Sequence, residues 1–140
     1  MTASGAAIAA LQGALAAEHA AVYGYGIVGA VLSAADQANA RTDWTAHLVA
    51  RDTLVTMLAK LGATPVAASP AYKLPFAVTS EKSAARLAAL LENGVTRAYL
   101  GLVAVSDPAL RTFAAQAMQT SANRALAWSG TTIAFPGMPA

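Results

Sequence analysis

With 140 residues, 56% of them hydrophobic and only 11% charged, the chain is long enough to bury one core as a single domain over 1–140, yet too poorly charged to cover its surface as an isolated monomer, so a homodimer is expected. The net charge of +2 is carried by nine Lys and Arg residues that occur singly from Arg41 to Arg124, without the clustered basic face of a nucleic-acid binder. The absence of cysteine excludes disulfides and thiolate chemistry and fits a cytoplasmic protein.

The N-terminal stretch from Met1 to Ala17 is small and apolar but lacks the positive start and strongly apolar centre of a secretory signal. Residues 20–35 carry no formal charge. Half of them are Ala or Gly, which contribute little drive for membrane insertion, so a buried helix and no membrane span is expected there. The first predicted helix runs roughly from Ala3 to Ala35, with Ser4 as its N-cap. Its seam of Ile8, Leu11, Leu15, Glu18, Val22, Tyr25, Gly29 and Leu32 steps alternately by three and four. A turn near Asp36 leads into a second helix, roughly Gln37 to Leu61, with Trp44, His47, Arg51, Leu54, Leu58 and Leu61 inward and Gly62 as the stop.

Pro65, Pro70 and Pro75 make 63–79 a long non-helical connection. The third helix starts at Thr79 or Ser80, has Glu81 in its first turn, and runs to about Val105. Its seam is Ala85, Ala88, Glu92, Val95, Tyr99 and Leu102. Asp107-Pro108 supplies an N-cap and a proline at the first helical position of the fourth helix, which continues to about Ser129 and stops at Gly130. Leu110, Ala114, Ala117, Arg124 and Trp128 form its expected inner face, and Thr131 to Ala140 is expected along the surface. Short, long and short connections predict an all-α, antiparallel four-helix bundle of ferritin-like arrangement, with one long crossover between the second and third helices.

Glu18 lies on an apolar seam, where a carboxylate must be paired, hydrogen-bonded or protonated. Counting away from a turn at Asp36 puts Glu18 level with about residue 54, Arg51 within reach, and His47 level with Tyr25. Counting away from Ser106 puts Glu92 level with about residue 120, with Gln116, Gln119, Asn123 and Arg124 within a turn. The layer expected is an ion-pair and hydrogen-bond cluster of Glu18, Arg51, Glu92, Arg124 and Asn123, which fixes helix register. The competing reading is a metal site of Glu18, His47 and Glu92. A di-iron centre takes one Glu from each of two helices and Glu-x-x-His from each of the others. Here Trp44 stands where the second helix would carry that Glu, and no Asp, Glu or His follows Asp107. One metal ion is the most this donor set would hold, and none is expected.

Tyr25 and Tyr99 read as packing residues or as walls of a small-molecule pocket beside the layer, and Trp44 and Trp128 as core. Gly24, Gly26, Gly29 and Ala30 allow close helix approach, including across a dimer interface. No nucleophile motif is present, so no catalytic residue is assigned. Two function classes follow: a dimeric binding or interaction module, and a metal-binding protein or metal-dependent oxidoreductase with a degenerate site.

The segment Glu18-His19-Ala20-Ala21-Val22-Tyr23-Gly24-Tyr25-Gly26 resembles the alanine-rich, ferritin-like domain-of-unknown-function family of actinobacteria. Arg51-Asp52 with Leu54, Gly62-Ala63 with Pro65, Ala71-Tyr72 with Leu74-Pro75, and Phe135-Pro136-Gly137 extend that resemblance over almost the whole chain. The resemblance implies a ferritin-like fold and says little about activity.

Overall fold

Thr2, not Ser4, starts the first helix: its hydroxyl accepts the Gly5 amide proton at 3.0 Å. The computed structural model describes residues 2–131 and contains α1 (Ala3–Val31), α2 (Ala34–Lys60), α3 (Glu81–Val103) and α4 (Pro108–Ser129), with no strand among the described residues. The expected surface course of Thr131 to Ala140 falls, beyond Thr131, outside the described residues. The α1–α2 turn falls at Leu32 and Ser33, both in extended conformation, earlier than Asp36. Two extended residues suffice to reverse the chain, and Leu32 is anchored in the core. Asp36 instead sits in the first turn of α2, where a negative charge suits the helix dipole.

The other boundaries follow their local chemistry. Ser80 and Ser83 form a reciprocal capping box at the start of α3. Asp107 accepts the amide protons of Ala109 at 2.8 Å and Leu110 at 3.2 Å, and Pro108 opens α4. Gly62 and Gly130 stop α2 and α4 at φ values of 72° and 70°, a left-handed conformation that favours glycine.

The bundle is built on a central pair: α1 packs against α2 and α3, and α3 packs against α1 and α4. The buried seam of α1 is Leu11, Ala14, Glu18, Ala21, Tyr25, Val28 and Leu32, so the expected Val22 and Gly29 lie at its margin. Ala21 and Gly24 replace them because α3 approaches closely: a Cβ on Gly24 would run into the Leu91 side chain. The crossover lies on its own chain. The Gln12 side-chain amide donates to the Thr64 carbonyl at 2.7 Å and accepts the Val66 amide proton at 2.8 Å. His19 Nε2 lies 2.9 Å from the Val66 carbonyl, and the Tyr23 and Tyr72 rings meet at 5.4 Å. Leu74, Phe76 and Val78 then pack beside Val28 and Leu87. The crossover thus runs alongside α1 in the same direction and delivers α3 antiparallel to it.

Two apolar clusters result, one around Leu11, Leu15, Leu54, Leu58 and Leu102, the other around Val28, Leu32, Leu87 and Ala88. The polar layer sits between them. Among the described residues no helix is long and apolar enough to cross a membrane.

Candidate functional site: a buried Glu–His–Glu layer

Glu18 and Tyr25 stand seven residues apart on α1, and Glu92 and Tyr99 seven apart on α3. Two helical turns place each pair on one face. Because α1 and α3 run antiparallel, each tyrosine meets the other helix's glutamate. Tyr25 donates to Glu92 Oε1 at 2.6 Å, and Tyr99 donates to Glu18 Oε1 at 2.8 Å. His47 of α2 fits between the carboxylates, with Nδ1 2.6 Å from Glu18 Oε2 and Nε2 2.8 Å from Glu92 Oε1. Its ring stacks on Tyr25 at a centroid distance of 5.4 Å. All five side chains are buried, none more than 2% exposed.

These distances count protons. A neutral imidazole carries one N–H, yet both ring nitrogens face carboxylate oxygens at hydrogen-bond distance. Each contact needs a hydrogen. The layer therefore holds either an imidazolium between two carboxylates or an imidazole with one carboxylic acid, and its net charge is the same in both. Burial works against the imidazolium, but hydrogen bonds to Glu18 and Glu92 and their charges outweigh it and lift the His47 pKa from 6.5 to about 9. Tyr25 and Tyr99 are pushed well above the ordinary tyrosine range, first by burial and then by the glutamate that each faces, so both stay protonated donors.

A second tier adjoins the layer. Asp43, one turn before His47, accepts from the Trp128 indole at 2.8 Å and pairs with Arg124 Nε at 3.3 Å. The Tyr25 hydroxyl is 3.4 Å from Asp43 Oδ2, but its single proton goes to the nearer Glu92. These bonds bridge α2 and α4, which do not pack together as the other pairs do. Between them lies a cavity of about 150 Å³, reached by Glu18, His47 and Tyr99 and walled by Phe113, Ala117 and Ser121.

Of the residues expected in the layer, Glu18, His47 and Glu92 come together; Arg51, Arg124 and Asn123 do not join them. Arg51 pairs with its neighbour Asp52 at 2.9 Å near the surface, Arg124 sits at the cavity rim on Asp43, and Asn123 is exposed. The physical reason is the turn. Glu18 lies fourteen residues before Leu32 and His47 fourteen after Ser33, so His47, not Arg51, is level with Glu18. Asp43 and Ser121 escaped the sequence reading, although Asp43 shares a face with His47 at four residues' spacing.

A metal ion does not fit this arrangement. Three ligands must point at one open position, whereas the two nitrogens of His47 point at different carboxylates and the ring fills the space between them. Among the described residues no three His, Cys, Asp or Glu side chains are set to hold an ion.

The fold and site define an all-α bundle with a buried carboxylate–imidazole layer. The chain belongs to the family described as a domain of unknown function, DUF4439, which matches residues 10–140. It is similar to the crystal structure of a conserved hypothetical protein, rv2844, from Mycobacterium tuberculosis, with 37% identity and a TM-score of 0.87 over 90% of this chain and 96% of that one. No curated protein matches the chain.

Proposed function

We propose that this chain is a ferritin-like binding module, cytoplasmic and homodimeric, in which a proton-holding Glu–His–Glu layer takes the place of a metal pair. The observation that carries this reading is the engagement of both His47 nitrogens by carboxylates from α1 and α3. The charge that a di-iron centre would supply between carboxylates is supplied here by a protonated imidazole. The cavity between α2 and α4 opens onto the layer and gives a small-molecule ligand access to it. Exposed Val49, Leu61, Leu90 and Leu126, with the low overall charge, support a second copy covering part of the surface.

The test is nitrogen-detected NMR of His47 at neutral pH, on protein as purified and after incubation with iron, manganese or zinc. Both ring nitrogens protonated, with resonances unmoved by metal, is the expected outcome. Stoichiometric metal that displaces a ring proton, and does not bind after Glu18→Ala, overturns the reading in favour of a metal-dependent protein. Light scattering at micromolar concentration tests the dimer, which a clean monomer would refute.

A further inference from the structure

The two hairpins are related by a constant offset. Seventy-four positions separate the capping residues Ser33 and Asp107, the carboxylates Glu18 and Glu92, the tyrosines Tyr25 and Tyr99, and the buried Ala40 and Ala114. The hydrogen bonds obey the same relation, since Tyr99 donates to Glu18 as Tyr25 donates to Glu92. The layer is a pseudo-twofold object.

At this offset His47 corresponds to Ser121, a residue of α4 that is 2% exposed. A serine fills far less space than an imidazole, and Ser121 forms part of the wall of the cavity beside Glu18, His47 and Tyr99. A second observation follows from the twofold relation alone, since Glu92 lies behind the layer and is not itself a wall of the cavity. Glu18 Oε2 receives its proton from His47 Nδ1. Glu92 Oε1 takes the Tyr25 proton as Glu18 Oε1 takes that of Tyr99, so Glu92 Oε2 is the counterpart of Glu18 Oε2. That atom is buried and has no hydrogen-bond partner among the described residues. A cavity where the second imidazole would stand, and an acceptor without its donor, are what remains when one histidine is taken from a two-histidine layer.

We propose that the cavity at Ser121 binds a small planar cation with N–H donors, of the imidazolium or amidinium class, in the place of the missing imidazole. The proposal rests on the proton-holding layer described above. Size sets the upper limit: an apolar cavity of about 150 Å³ admits benzene, so one five- or six-membered ring is accommodated. Charge sets the sign. Two carboxylates and one imidazolium leave one negative charge uncompensated, and Arg124 at the rim is held by Asp43. The Phe113 ring and the small Ala46, Ala50 and Ala117 leave room for a flat ligand.

The test is heteronuclear NMR on the full chain near pH 6, with imidazolium and acetamidinium chloride as probes and benzene as the neutral control. Saturable one-to-one shifts centred on Ser121 and Glu18 are expected for both cations, tighter than for benzene. Ser121→His carries the missing ring and should weaken imidazolium binding at least tenfold. Ser121→Val fills the cavity without a donor, should weaken it likewise, and serves if the histidine variant does not fold. No saturable shift with either cation, undiminished binding in a folded Ser121 variant, or benzene binding as tightly as imidazolium overturns the proposal. The same spectra show His47 and the glutamate carboxyls: a doubly protonated ring without probe binding refutes the site alone, whereas a singly protonated ring between two ionised carboxylates refutes the layer beneath it.

Discussion

Raising the pH above neutrality should take a proton out of the layer, and His47 sets the cost. In the unfolded chain its imidazole titrates near 6.5; folded, it holds its proton to about 9. The folded value lies above the unfolded one, so the stabilisation is fully present below pH 6.5 and is lost as pH rises through about 9. The gap corresponds to about 3 kcal/mol, spread at about 1.4 kcal/mol per pH unit. That is a large share of the roughly 5–15 kcal/mol that holds a domain folded. Urea unfolding in steps from about pH 6 to about pH 9 reads it directly, with the midpoint concentration falling at constant m. Tyr25 and Tyr99 do not intrude, because their raised values cost stability only above the usual tyrosine range, near 10. His47→Gln, which does not titrate, should be less stable at neutral pH and nearly level across the window. A wild-type protein as stable at about pH 9 as at about pH 7, or an equal slope in His47→Gln, would refute the proton count on which the layer rests.

Three further outcomes are expected. A double-mutant cycle on Glu18 and Arg51 should give coupling near zero, because Arg51 faces Asp52; the same cycle on Glu18 and His47 should give roughly 2–3 kcal/mol or more, read by denaturant unfolding. Asp43→Ala removes the acceptor of the Trp128 indole and the partner of Arg124, so it should shift Trp128 fluorescence and cost about 1–3 kcal/mol; unchanged emission would break the link between α2 and α4. Gln12→Ala removes both bonds that hold Thr64 and Val66, so proteolysis between residues 63 and 79 should quicken while the global unfolding midpoint moves by only a few degrees, about the effect of 1 kcal/mol. Cleavage at the wild-type rate would show that the His19, Tyr72, Leu74, Phe76 and Val78 contacts hold the crossover without Gln12.

The helices were legible wherever the chain carries punctuation. Asp107-Pro108, Ser80, Gly62 and Gly130 all sit at the boundaries their chemistry implies. The α1–α2 turn has neither Gly nor Pro, and two extended residues make it, so no local signal marks it. That omission spread into the site: misplacing the turn put about residue 54 level with Glu18, brought Arg51 within its reach and moved His47 away. The paired seven-residue spacings of Glu18 with Tyr25 and Glu92 with Tyr99 were in the sequence all along. They become a layer only once α1 and α3 are known to run antiparallel. Ser121 could not have been singled out, since nothing about a serine among alanines reports the ring it stands opposite.

The layer also explains why the carboxylates need not be bridged by metal. Glu18 and Glu92, brought to one level from α1 and α3, repel each other in a medium that screens poorly. One cation between them removes that repulsion, and a protonated imidazole does so with two directional bonds, which an ion would not aim along one line. The tyrosines complete the arrangement by donating to each carboxylate from the opposite helix, so that sliding α1 past α3 by one turn would break both tyrosine bonds and one of the two His47 bonds together. In an alanine-rich core, where small side chains interlock weakly, those bonds hold the register that larger side chains would otherwise set by shape.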